Sequence, residues 1–365
     1  MHNLPPLTLG IHSAPYPVIQ GGMGIRISGA RLAAAVANAG GVGIISAVGL
    51  GWNSPYFDGG ERSPKRRIEQ FFEANRRALI DELTRARQLS PKGIIGINVM
   101  MAARDWETLV ETAVTHGANL VIAGAGLPLS LPSHTLEFPE VALVPIVSSV
   151  RAAKLITRRW QKHYQRKPDG FVVESPKFAG GHLGAAPDAI HDPAYSIEQV
   201  VPELVAYIQT EFETPIPVIA AGGVWNRVDV DRMLSLGAGG VQVGTRFITT
   251  FECDADYRYK RAHLQANPED VMLVPSPVGL PGRAIRNAFV DRVMAQEDMS
   301  EPCTANCLQS CRCRDSRETY CIMRALNRAA AGDVDNGLIF SGAQAGRAQA
   351  LMSVEDVMRS LVSVG

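Results

Sequence analysis

The residues best suited to chemistry lie in "GFVVESPKFAGGHLG", residues 170–184. Glu174 closes the apolar run Phe171, Val172 and Val173, and His182 follows the pair Gly180 and Gly181. A carboxylate ending a buried strand is costly unless it is paired or hydrogen-bonded. An imidazole, with an ordinary pKa of about 6.5, suits proton transfer at neutral pH, so His182 is the candidate acid–base. Asn98 ends a second apolar run, where its amide can donate and accept on a ring edge. Gly22 with Met23, Gly222 with Gly223, and the stretch Gln242, Val243, Gly244, Thr245 end three more. Glycine there lets backbone amides approach a ligand with no Cβ in the way. Each feature also has a plainer reading: a structural ion pair for Glu174, a structural histidine, tight turns for the glycines.

A second group is Cys303, Cys307, Cys311, Cys313 and Cys321, all within one short stretch. Crowded thiols in an intracellular chain point to metal more than to disulfides. Cys303, Cys307, Cys311 and Cys321 are the candidate ligands of an iron–sulfur cluster, or of zinc, with free thiols as the alternative. Their spacing matches neither the usual zinc pairs nor the common ferredoxin run.

Elements that would position these residues are readable as eight continuous apolar runs: 17–20, 41–46, 93–100, 119–124, 142–147, 170–174, 217–223 and 240–247. Continuous rather than alternating runs are expected of strands buried on both faces. Amphipathic stretches separate them, one starting at Ser63 as N-cap with Pro64 at the first helical position. Eight strands alternating with helices predict an α/β chain folded as a (β/α)8 TIM barrel. The rival, a doubly wound open sheet, would need a G-x-G-x-x-G fingerprint that "QGGMG" does not satisfy. In a barrel the strand C-termini build the site, and the loops after strands seven and eight commonly hold phosphate, helped by a helix N-terminus. The expected organisation is a barrel over residues 1–250 and 340–365, with a cap subdomain inserted after strand eight, over 251–339, that carries the Cys-rich segment 303–321.

Lys+Arg and Asp+Glu both number 36, so the formal net charge is zero and no long-range field draws nucleic acid or a membrane surface. Lys65, Arg66 and Arg67 read as a solvated helix start. The N-terminal stretch lacks a basic region followed by an apolar one, and no apolar run reaches the roughly 18 residues of a membrane span. The expectation is a soluble cytoplasmic protein.

Five segments appear in order: "PVIQGGMG", "INVM", "FAGGHLG", "IPVIAAGGV" and "LGAGGVQVGTRF". Together they resemble the nitronate monooxygenase family, formerly the 2-nitropropane dioxygenases, related to the flavin-dependent enoyl-acyl-carrier-protein reductase II. The resemblance covers most of residues 15–250 and the final "NGLIFSGAQAG" and "SVEDVM". It implies FMN in the barrel. Gly22 and Met23 would lie against the ring, and Asn98 and Glu174 beside the ring and ribityl chain. Gly181, Gly222 and Gly223 would follow the ribityl–phosphate path, while Gln242, Val243, Gly244 and Thr245 would close on the phosphate. His182 matches the family's catalytic base for oxidising nitronates with dioxygen. A similar Cys-rich tail in some members implies a shared metal site. The alternatives are an NAD(P)H-dependent flavin reductase acting on an enoyl thioester or a quinone-like acceptor, and a non-catalytic flavin- or metal-binding protein. A homo-oligomer is compatible with each. The loop "ESPKFAGGH" is one residue longer than the family pattern, with Phe178 where an acidic residue is usual, which predicts a more apolar substrate wall or a displaced His182.

Overall fold

Runs of apolar residues with no polar interruption cannot leave either face in water, and all eight form the parallel strands of one closed barrel. They are β1 (Val18–Gln20), β2 (Val42–Ser46), β3 (Ile94–Met100), β4 (Leu120–Gly124), β5 (Ala142–Val147), β6 (Phe171–Glu174), β7 (Val218–Ala221) and β8 (Gly240–Val243). Their spatial order follows the chain, and β8 closes on β1. The computed structural model describes residues 4–363; residues 1–3 and 364–365 of the expected barrel lie outside the described residues.

Six helices take the predicted places outside the sheet: α1 (Ala30–Asn38), α2 (Pro64–Leu89), α3 (Trp106–Thr115), α4 (Val150–Tyr164), α5 (Ile197–Glu211) and α6 (Arg227–Ser235). The terminal helix Val354–Val362 packs on α1 and α6. Ser63 sits at the N-cap of α2, but its side chain makes no capping bond; Glu61 Oε1 instead accepts the Ser63 amide at 2.8 Å. Helix α1 crosses β2 so closely that a Cβ built on Gly43 would lie 1.9 Å from the Ala33 carbonyl oxygen.

Side chains alternate along each strand. Ile44, Ile122, Val144, Val172 and Ile219 point inward and form an inner apolar cluster. Ile45, Ile97, Val121, Val173 and Val241 point outward and pack under the helices. A feature not read in the sequence closes the other end of the barrel. A hairpin of Leu7–Leu9 and His12–Ala14 inserts Leu7, Leu9 and Ala14 into the inner cluster.

Between β8 and the terminal helix the chain builds helices Tyr257–Gln265, Ala288–Met294 and Ile322–Ala330. It also forms two strands, Val271–Val274 and Gly282–Ile285. The second strand pairs antiparallel with Gly181–His182 of the loop after β6. This insertion shares one hydrophobic cluster with the barrel–helix layer through Phe289, Val290, Tyr320, Ile322 and Met323. Among the described residues no helix is long and apolar enough to cross a membrane.

The Gly43 contact yields a direct expectation. Gly43→Ala forces α1 off the barrel and lowers unfolding free energy by more than about 3 kcal/mol. Urea unfolding of the two proteins measures this, and a loss near zero would contradict the close approach.

Candidate active site

The alternation that fills the barrel with aliphatic side chains also decides what faces upward at its C-terminal mouth. Two residues beyond the inward layer come Ser46 on β2, Asn98 on β3, Glu174 on β6 and Gln242 on β8. Register sets them side by side: Ser46 opposite Asn98, and Glu174 and Gln242 both opposite Ala221. The mouth opens into a cavity of about 550 Å³. That is within the roughly 300–1,000 Å³ usual for cofactor and small-molecule sites.

All twelve catalytic and cofactor-binding candidates named from the sequence line this one cavity. Gly22 and Met23 stand at the end of β1, against Asn98 of β3. The Asn98 amide and the Glu174 carboxylate make no hydrogen bond to protein among the described residues, and Gln242 Oε1 is buried without a partner. Polar atoms enclosed this way call for a ligand to satisfy them. Glu174 is open only towards the cavity, and burial raises its pKa from 4.5 to about 7.

After β7, Gly222 and Gly223 adopt φ of 100° and 78°, a left-handed backbone that glycine tolerates at no steric cost. A Cβ on Gly223 would meet the Phe178 ring at 3.1 Å. Val243 and Gly244 continue the rim from β8, and the Thr245 hydroxyl accepts the Gly342 amide at 2.9 Å. The α6 N-terminus, an expected anion donor, is already occupied. Asn226 caps Asp229 N, and Asp229 Oδ2 takes the Trp225 and Asn226 amides. Two arginines that were not singled out from the sequence stand behind this rim: Arg246 and Arg347 lie 4.7 and 5.4 Å from the centre of the ring of Trp225, which lines the cavity. Arg246 Nε is buried without a partner.

His182 owes its place to the insertion. Gly181 and His182 pair with Arg283 and Gly282, and Leu183 N donates to Pro281 O at 2.9 Å. The Arg283 guanidinium is buried with no carboxylate partner among the described residues, and it donates to the carbonyls of Ala179 and, at 3.1 Å, Pro176. It thus holds the lengthened loop by its backbone. His182 Nε2 lies 2.8 Å from Ser276 Oγ, and the ring meets Phe340 edge-on with centroids 5.1 Å apart. Burial lowers the His182 pKa to about 4, so the imidazole is neutral at pH 7. Phe178 lines the cavity. Ser276 and Phe340 carried no signal in the sequence. Arg283 carried a weak one, a lone cation in the strand-like "GRAI".

The cysteine expectation finds no support. Among the described residues no group of three or more metal-ligating side chains is arranged to hold an ion, so nothing in the structure supports the expected iron–sulfur or zinc site at Cys303, Cys307, Cys311 and Cys321. All are free thiols. They are neighbours nonetheless: burial pushes the Cys307 thiol well up, and Cys321, Cys303 and Cys311 add to the shift. The segment is fastened by other means, with Leu308 buried against Ala103 and Arg104 N donating to Cys307 O.

A closed parallel barrel with a ligand-sized cavity at its strand C-termini, rimmed by unsatisfied polar groups, has the build of a barrel enzyme. A profile of the nitronate monooxygenase family matches residues 6–363. The chain belongs to that family and is an enzyme of the flavin-dependent oxidoreductase type. A (3aS,4S,5R,7aS)-5-hydroxy-7a-methyl-1-oxo-octahydro-1H-indene-4-carboxyl-CoA dehydrogenase of Mycobacterium tuberculosis is 27% identical over 278 residues, covering 76% of this chain and 65% of that relative. The chain therefore spans just under two thirds of that dehydrogenase's length. A probable nitronate monooxygenase of Staphylococcus saprophyticus is 25% identical, with 79% and 81% covered. The fold matches FabK from Thermotoga maritima, with a TM-score of 0.70, 23% identity, and 95% and 92% covered. It also matches a nitroalkane oxidase from Streptomyces ansochromogenes, with a TM-score of 0.67, 18% identity, and 95% of each chain covered.

Two outcomes follow from the site. Arg283→Ala strands two carbonyls and frees the loop, with a stability loss of about 2–4 kcal/mol by urea unfolding; an unchanged midpoint would remove the clamp. Glu174 gives a pH signature. Its folded pKa of about 7 exceeds its ordinary 4.5, so its contribution is fully present below pH 4.5 and is lost as pH rises through 7. Full ionisation costs on the order of 3 kcal/mol in the ligand-free protein. Glu174→Gln is thus expected to stabilise that protein at about pH 8 and to leave it unchanged near about pH 4. The same difference at both values would show that Glu174 is not the titrating group.

Proposed function

We propose that the protein holds FMN in the barrel mouth and oxidises nitronates with dioxygen, His182 acting as the proton acceptor where the substrate still carries a proton. The observation that carries this reading is a neutral, buried histidine fixed over a cavity whose Asn98, Glu174 and Gln242 lack protein partners. Those groups suit a heterocycle edge and a polyhydroxyl chain. Gly22 and Met23 would lie along the ring. Gly181, Gly222 and Gly223 would follow the chain, and Val243, Gly244 and Thr245 would meet the phosphate with Arg246 nearby. FMN held there would supply the electron acceptor for the substrate, with dioxygen as the final oxidant.

Ser276 fixes the ring through Nε2. When Nε2–H of His182 donates to Ser276 Oγ, the lone pair on Nδ1 is left for a substrate proton. A base whose pKa is near 4 accepts a proton from a carbon acid only uphill. A nitronate arrives already deprotonated, so nitronates are favoured over neutral nitroalkanes.

A second reading has support from the M. tuberculosis relative, whose name specifies a carboxyl-CoA substrate. Phe178, Leu280, Met323, Leu326 and Phe340 give the cavity apolar walls that suit a bulky acyl group. In that reading the cavity would hold flavin beside a thioester substrate, or beside NAD(P)H as electron donor for an enoyl thioester or quinone-like acceptor.

Anaerobic stopped-flow mixing separates the two. Rapid flavin bleaching by a nitronate, with little by NAD(P)H or an acyl-CoA, is expected. Bleaching by NAD(P)H alone would reject the nitronate reading. His182→Asn and Ser276→Ala should slow turnover of neutral nitroalkanes by about 100-fold and about 10-fold, and affect preformed nitronates much less. Equal losses on both substrates would assign His182 a binding role.

A further inference from the structure

A second, smaller cavity of about 360 Å³ lies beside the main one, lined by Trp52, Phe57, Asp58, Thr304, Arg324 and Arg328. The two share walls. In the loop after β2, Val48 faces the main cavity and Trp52 the smaller one. In helix Ile322–Ala330, Met323 and Leu326 face the first, while Arg324 and Arg328 face the second.

Three guanidiniums gather here. Arg324 is partly buried, and its pKa is lowered first by burial and then by Arg328 and Arg67. Arg67, expected to be a solvated helix-start residue, instead turns inward: its Nε donates to Thr304 O at 3.3 Å. Two carboxylates are nearby. Glu301 bridges Arg324 and Arg328, and exposed Asp58 accepts its own loop's Gly60 amide at 2.9 Å. Arg324 and Arg328 thus share the one carboxylate of Glu301, and Arg67 has no ion-pair partner among the described residues. The opposite wall is aromatic: Trp52 and Phe57 are half-buried with centroids 6.0 Å apart, backed edge-on by buried Phe71, and Arg324 lies 5.7 Å from the Trp52 ring centre.

Guanidinium forks match phosphate oxygens, and aromatic faces stack on bases. We infer that this cavity binds a phosphorylated adenosine, the nucleotide handle of a two-part ligand; on the second reading above, and not on the nitronate reading, its reactive end enters the main cavity. Two sources carry that chemistry, coenzyme A thioesters with a 3′-phosphate and NADP(H) with a 2′-phosphate. Only the direction in which the ligand's far end points rests on the main cavity's being the reaction site. Nucleotide binding itself involves no flavin chemistry, so its failure would leave the proposed oxidation untouched.

The test is calorimetric titration of the full-length, flavin-loaded protein with adenosine 3′,5′-bisphosphate and, separately, 2′-phospho-ADP-ribose. At least one should bind with a Kd well below about 1 mM. Arg324→Gln and Trp52→Leu should each weaken it by about tenfold or more with the flavin spectrum unchanged. Arg328→Gln and Arg67→Gln, at more exposed positions, carry the same test if either of those variants fails to fold. Preference for the 3′,5′-bisphosphate assigns a coenzyme A source, and preference for the 2′-phosphate assigns NADP(H). Binding of neither nucleotide, or equal binding by wild type and every folded variant, overturns the proposal.

Discussion

Everything at the barrel mouth depends on a strand's two-residue repeat acting inside a closed parallel sheet. Closure gives each inward side chain a fixed height, and the repeat forces the residue two positions on to face the same way. Below, that rule stacks Ile44, Ile122, Val172 and Ile219 into a dry core. One step higher it presents Ser46, Asn98, Glu174 and Gln242 to the cavity. Polar groups at that height have no way to turn outward, and strands that must stay in register cannot slip to hide them. The unsatisfied amide, carboxylate and Gln242 oxygen are therefore built in by the scaffold.

A second constraint is imposed from outside the barrel. The loop after β6 is not held by its own strand but by pairing with Gly282–Ile285 and by the Arg283 guanidinium on its carbonyls. A buried cation satisfied by backbone oxygens alone is expensive to leave unpaired, so the loop has little freedom to move away. The ionisation state of His182 follows from the same packing, because Ser276, Phe340 and the insertion exclude water from the ring.

The barrel was legible because its strands are continuous apolar runs and its helices are amphipathic, both local patterns. Asn98, Glu174, Gln242 and the glycine turns were legible because they punctuate those runs. Pairing was not. Nothing near "GGH" announces a partner strand some hundred residues later, and nothing in "PSPVG" marks Ser276 as a histidine partner. Arg67 misled for a related reason: a basic run at a helix start is ordinarily solvated, and only the fold reveals that Thr304 lies against it. The cysteines show the opposite case. Closeness in sequence became closeness in space without a group arranged to hold an ion among the described residues, in a segment that also buries Leu308 and Tyr320.

Helix Ile322–Ala330 places Met323 and Leu326 on one cavity and Arg324 and Arg328 on the other. A wall common to two chambers couples their occupants to the extent that it shifts between them. Whatever free energy one occupant contributes by shifting that helix, the other must feel in equal measure and in the same sense. Two turns of helix thus give this barrel the means for reciprocal coupling between neighbouring sites, without any motion of the strands themselves.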